Sequence, residues 1–174
     1  EAEKIEVVMH ALKNNLNCYK PSSIGRLFDC ISAILGLCYK ISYEAQGAIF
    51  LENTIDYGVK DYYTMEILSN EEMIEIDYKE LIKEVLSDIE LQIPISEISS
   101  KFHNGLIEVT GKIVKKLSCI YGISEVVLSG GCFENQYLLC NMVKRLKAMG
   151  MKVFFNQKVP INDSGISIGQ LMIA

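Results

Sequence analysis

The sequence contains no C-x-x-C pair, no G-K-[ST] loop and no G-x-G-x-x-G fingerprint. Without cysteines at knuckle spacing a zinc ribbon is not expected. Without the two glycine signatures neither a P-loop nor a Rossmann-type dinucleotide site is expected. Histidine is nearly absent: only His10 and His103 are present, which leaves a nucleophilic thiol little choice of base. Positive charge is also short. Lys and Arg number 17 against 22 Asp and Glu, for a net charge of −5, so the basic footprint of a nucleic-acid binder is missing. The local cluster Lys112, Lys115 and Lys116 reads as one solvated helix face. The longest apolar run, around residues 30–39, falls well short of the roughly 20 residues that span a bilayer. Residues 1–10 are charged and open no apolar stretch of a secretory signal. Neither nucleic acid nor membrane is an expected partner, and the cytoplasm is the expected compartment. No repeat or low-complexity tract is visible, and the acidic segment 69–77 is the one candidate seam.

What is present is an ordinary globular composition. The 174 residues are 49% hydrophobic and 22% charged, enough to fold as a single domain, residues 1–174, without metal or disulfide. The first residue is Glu1 rather than Met, which suggests a piece of a longer protein. Six cysteines, Cys18, Cys30, Cys38, Cys119, Cys132 and Cys140, lie mostly in apolar periodic segments and read as reduced thiols acting as small buried hydrophobes.

Apolar spacing predicts helices over 2–14, 23–36 and 43–57, the second capped by Ser22 or Ser23 after a turn at 18–23 and the third capped by Ser42. One or two short strands follow across 62–76, kept soluble by Glu71, Glu72, Glu75 and Asp77. Helices are expected at 78–90 and, beyond Pro94, at 97–121. Gly105 and Gly111 interrupt this long helix, each at a cost of about 1 kcal/mol against Ala, and suggest close packing. The last third reads strand (125–129), Gly-Gly turn, helix (133–149), strand (152–155), loop (159–165), helix (166–174): an α/β unit.

Two loops carry the chemistry. In Leu128-Ser-Gly-Gly-Cys-Phe-Glu-Asn135 a strand ends in two glycines and a helix begins. Gly130 and Gly131 let backbone amides approach a phosphate, the helix start adds partial positive charge, and Asn135 in the first turn adds a hydrogen bond to a ribose or base. A tight turn with no ligand fits the same residues. In Pro160-Ile-Asn-Asp163-Ser-Gly165, Asp163 is either the cap of the last helix or a hard oxygen ligand to a divalent metal, and spacing favours the cap. Asp29, in mid-helix beside Phe28, either bonds a ribose hydroxyl or pairs with Arg26 one turn earlier. Glu44 opens the third helix, where the dipole favours a carboxylate. His103 reads as a satisfied structural residue, His10 as a surface one, and no catalytic residue is assigned. A catalytic Cys132 is disfavoured for want of a base.

In order, Ser22-Ser-Ile-Gly-Arg-Leu-Phe-Asp29 with Leu35-Gly-Leu37, Ser42-Tyr-Glu-Ala-Gln46, Phe102-His103-Asn104, Leu128-Ser-Gly-Gly-Cys-Phe-Glu-Asn135 and Val159-Pro-Ile-Asn-Asp-Ser-Gly165 closely resemble the C-terminal part of the hydrogenase maturation carbamoyltransferases. The resemblance runs from about Ser22 to Ala174. It implies an α/β fold: one lobe of the actin, sugar-kinase and Hsp70-like class, helix-rich with a small mixed sheet. It also implies that the full enzyme forms carbamoyl adenylate from carbamoyl phosphate and ATP in a separate domain. The carbamoyl group then passes to the C-terminal cysteine of a partner protein in nickel–iron hydrogenase maturation. Gly130, Gly131, Asn135, Asp29 and, with a departure in the local motif, Glu44 carry over as nucleotide-binding residues. Asp163 carries over as a ligand of a divalent metal, iron or zinc, completed by histidines outside this chain, and this reverses the preference for a cap. With those histidines, which belong to the preceding lobe, absent, the 174 residues alone are expected to hold no metal and to be inactive. Another actin-like phosphotransferase, or a non-catalytic module docking through residues 60–77, are the alternatives.

Overall fold

A computed structural model describes residues 2–19, 22–69 and 73–173. Lys20 and Pro21 of the expected turn, Glu71 and Glu72 of the acidic segment, and Ala174 lie outside the described residues. Among the described residues, seven α-helices and four strands follow one another as α1 (Ala2–Lys13), α2 (Ile24–Ile34), α3 (Gln46–Asn53), β1 (Glu66–Ser69), β2 (Ile74–Asp77), α4 (Lys79–Glu90), α5 (Ile95–Tyr121), β3 (Glu125–Leu128), α6 (Gln136–Ala148), β4 (Lys152–Phe155) and α7 (Ile166–Ile173). The strands form two separate pairs: β1 and β2 an antiparallel hairpin, β3 and β4 a parallel pair. The parallel pair is joined by α6, the helical crossover that parallel strands require.

The long helix α5 is the spine of the molecule. Ile98, Phe102, Leu106, Ile107 and Val109 lie on its buried face. Leu27, Phe28 and Ile31 from α2 with its C-cap Leu35, Leu81 and Val85 from α4, and Leu138, Leu139, Met142 and Leu146 from α6 join the same core. These are the residues at helical spacing in each amphipathic segment, so the pattern sets both helix and face. Phe28 and Phe102 meet edge to face at 4.9 Å. Gly105 is where the chain before β1 crosses α5: a Cβ there would stand 2.7 Å from the Tyr63 carbonyl oxygen, so only glycine admits the crossing.

Several local expectations change. Ser23 occupies the N-cap position of α2, but its side chain makes no capping hydrogen bond. Helix α3 is shorter than predicted, because Ala45 sits in the left-handed region (φ 59°) and bars helix before Gln46. Gln46 Oε1 instead reaches back to accept from the Ser42 backbone N–H at 2.8 Å. Strand β1 begins after Met65, and it is Tyr63 and Met65 that enter the core, while Tyr62 stays exposed. The cysteines are not core residues: Cys30, Cys119 and Cys140 are exposed and the other three are half-buried. Ile5, Val8, Met9 and Leu12, the apolar residues at helical spacing in α1, are each half or more exposed.

Candidate functional site

The two terminal loops lie side by side. The Gly130 N–H donates to the Ile161 carbonyl at 2.9 Å, and Asn162 Nδ2 donates to Glu134 Oε1 at 2.7 Å. Gly131 faces Asn162, whose Cβ would stand 4.0 Å from a Cβ on the glycine. Gly130 itself is at φ +106°, a conformation costly to any side chain. Gly165 closes the second loop so tightly that a Cβ would lie 2.7 Å from the Pro160 carbonyl oxygen.

The helix after the glycines does not start where sequence places it. A single 3-10 turn, Gly131–Glu134, intervenes, and Asn135 is the N-cap of α6 rather than a residue of its first turn. Its Oδ1 accepts the Leu138 N–H at 2.8 Å. The first two amides of α6 are also taken: Glu52 Oε1, from the end of α3, accepts from Gln136 at 2.7 Å and from Tyr137 at 3.2 Å. The helix start is therefore satisfied internally, by a carboxylate well placed against the positive end of the dipole. The donors left for an anion are those at the head of the 3-10 turn, Gly131 and Cys132, which have no partner within that turn.

Asn135 is buried, at 8% exposure. Its Nδ2 lies 2.9 Å from His103 Nε2. His103 is fully buried, and its Nδ1 lies 2.7 Å from the Ser99 carbonyl oxygen. The rings of Phe28, Phe102 and Tyr137 surround it. Burial lowers its pKa to about 4, against a smaller opposing effect of the Ser99 carbonyl, so it is neutral at pH 7. The structural role expected of His103 is what the geometry provides.

Asp29 lies on α2 immediately beyond Phe28 and pairs with Arg26 at 3.4 Å, the local partner that its position suggested. Glu44 is exposed and precedes α3 instead of opening it. Asp163 is exposed and begins a 3-10 turn, Asp163–Gly165. The cap of that turn is Asn162, whose Oδ1 accepts from the Ser164 N–H at 3.0 Å, so Asp163 is not the cap and its carboxylate is not used in capping. Cys132 is half-buried, and burial raises its thiol pKa, which keeps it protonated at neutral pH and unfit as a nucleophile. Among the described residues no three His, Cys, Asp or Glu side chains converge as a metal site, and no helix is long and apolar enough to cross a membrane.

Residues 1–170 match the family described as "Carbamoyltransferase, Kae1-like Domain, second subdomain". The chain belongs to the HypF carbamoyltransferase family. It is 35% identical over 152 residues to carbamoyltransferase HypF of Synechocystis sp., covering 87% of this chain and 19% of that protein. It is 27% identical to a probable carbamoyltransferase HypF of Methanocaldococcus jannaschii, covering 97% of this chain and 22% of that one. The chain thus spans about a fifth of the length of the curated HypF relatives it matches. A crystal structure of full-length HypF in its phosphate- and nucleotide-bound form superimposes on 99% of this chain and 23% of that one, with a TM-score of 0.94 and 34% identity. The T. kodakarensis HypF crystal structure gives 0.81 at 26% identity, covering 98% of this chain and 22% of that one. The α/β lobe inferred from the ordered motifs is the fold of this HypF segment.

Two features escaped the sequence. Glu52 caps α6 across 84 positions, and no local pattern marks it. The link from His103 to Asn135 joins two motifs that were each visible alone.

Proposed function

We propose that this chain is the nucleotide-holding lobe of a carbamoyltransferase that moves a carbamoyl group from carbamoyl adenylate to the C-terminal cysteine of a hydrogenase maturation protein. The observation that carries the reading is the near-complete superposition on a full-length HypF in a phosphate- and nucleotide-bound form. The Gly130–Gly131 corner supports it as the place where backbone amides hold the adenylate phosphate. Asp29 and Glu44 are proposed to contact the nucleoside.

In the transfer step the acceptor thiolate attacks the carbamoyl carbon. The bond between that carbon and the phosphate oxygen breaks, and AMP leaves with the electron pair. The amides of Gly131 and Cys132 would stabilise the charge that accumulates on the departing phosphate. Asp163 fits as one ligand of a divalent metal, since its carboxylate is exposed on the loop against Gly131. One carboxylate holds such an ion poorly, so the remaining ligands must come from beyond the described residues. When bound, a metal there would polarise the mixed anhydride.

The test uses the full-length protein. Gly131→Val puts a branched side chain at the loop without demanding a left-handed backbone. Carbamoyl transfer to a cysteine-terminated acceptor is expected to fall by about a hundredfold, the scale of losing an oxyanion donor. Pyrophosphate release from ATP and carbamoyl phosphate, assigned to a separate domain, stays unchanged. Unchanged transfer would remove this lobe from the reaction.

A further inference from the structure

The amides and side chains at the start of α6 form a closed polar ring with α3 and α5. Leu51 and Glu52 stand at the end of α3. The Leu51 carbonyl accepts from Ser99 Oγ at 2.7 Å, and the Ser99 carbonyl accepts from His103 Nδ1 at 2.7 Å. His103 Nε2 meets Asn135 Nδ2 at 2.9 Å, and Asn135 Oδ1 accepts from Leu138 N–H at 2.8 Å. Glu52 returns the ring to α3 through the Gln136 and Tyr137 amides.

The roles around this ring are forced. The Leu138 amide is only a donor, so the side-chain oxygen of Asn135 must face it. The Asn135 NH2 then faces His103, and Nε2 must be the bare, accepting nitrogen. The Ser99 carbonyl is only an acceptor, so Nδ1 must carry the hydrogen. One neutral tautomer satisfies both ends, and it dictates the orientation of an amide that has little freedom at 8% exposure. Asn135 is the last residue of the corner that Gly130 begins.

We propose that His103 is a positioning residue for the nucleotide site. By accepting from Asn135 it fixes the end of the Gly130–Asn135 corner, and so sets where the Gly131 and Cys132 amides point. This rests on the function proposed above. Ser99, on the same helix, ties the setting to α3, so three elements hold the corner from behind.

Two substitutions separate positioning from mere packing. An Asn amide overlays the Nδ1 side of imidazole, so His103→Asn keeps a donor for the Ser99 carbonyl and loses the reach to Asn135. A Gln amide overlays the Nε2 side, so His103→Gln keeps an acceptor for Asn135. Both are made in the full-length protein, with AMP as the probe, read as its inhibition constant in carbamoyl transfer. His103→Asn is expected to weaken AMP by about tenfold, while His103→Gln stays within about twofold of wild type. If both variants shift equally, or if His103→Asn inhibits like wild type, the positioning role is wrong. Should both unfold, Asn135→Ser keeps a capping oxygen and drops the amide that reaches His103. Weakened AMP in that variant supports the proposal, and wild-type AMP overturns it. Gly131→Val is run alongside. If it too leaves transfer and AMP unchanged, the nucleotide reading itself has failed. If it alone weakens them, only the role of His103 has.

Discussion

At the scale of single residues, a buried neutral histidine makes stability depend on pH in a definite direction. Unfolded His103 titrates at its ordinary value of 6.5, whereas in the fold burial holds it near 4. Between these values the unfolded chain binds the extra proton, so its contribution falls as pH drops. That contribution is complete above about pH 6.5 and is lost progressively down to about pH 4. The full loss is on the order of 3 kcal/mol. Urea titrations at a series of pH values are expected to show this slope in wild type and to lack it in His103→Gln. An identical slope in both would mean other groups carry it. Glu52 gives a second test. Glu52→Ala strips the acceptor from two α6 amides and is expected to cost about 1–2 kcal/mol, read by thermal or urea unfolding. A loss of only a few tenths would mean solvent replaces the carboxylate readily. The Gly-Gly turn was legible in the sequence, since turn chemistry is local. Glu52 was not, since its partner lies 84 positions away and only the packing of α3 against α6 brings them together.

At the scale of elements, the two glycines of α5 looked alike in sequence and are not. A Cβ on Gly105 would press on the Tyr63 backbone, which cannot move aside, whereas on Gly111 it would touch the Arg145 side chain at 3.4 Å. Gly105→Ala is therefore expected to destabilise by about 1–3 kcal/mol, and Gly111→Ala to be neutral or to stabilise by up to about 1 kcal/mol. Equal effects in urea unfolding would refute the close crossing at Gly105. The seven α-helices of the described residues were foreseen, because their apolar residues recur at helical spacing. Their starts were less legible. The left-handed backbone at Ala45 and the 3-10 turn before Asn135 leave no mark in periodicity, and each displaced a site residue from the helix position assigned to it. Glu44 fell outside α3, and Asn135 became a cap. The cap that spacing alone offered at Asp163 falls one residue earlier, on Asn162.

At the scale of the whole molecule, amphipathic faces are present that this chain does not cover. None of α1 is buried, nor any of α7, where Leu171, Met172 and Ile173 are each more than three-quarters exposed. Burying a side chain of that size is worth about 1.5–3 kcal/mol, so two such faces exceed what a monomer leaves open without consequence. The 174-residue chain by itself is expected to associate as its concentration rises, and Leu171→Lys is expected to weaken that association. Sedimentation velocity reads both, and a monomer at every concentration would sink the idea. The same substitution distinguishes self-association from a role in the longer protein. In the short chain Leu171 is 78% exposed, so melting of dilute protein should barely move. In the full-length protein, if α7 packs against the portion that accounts for the other four-fifths of HypF, Leu171→Lys places a charge in an interface and should lower the melting temperature by several degrees, about 2–4 °C per kcal/mol lost. A full-length protein that melts unchanged would mean that α7 remains open there as well, and would turn attention to a second protein as its cover.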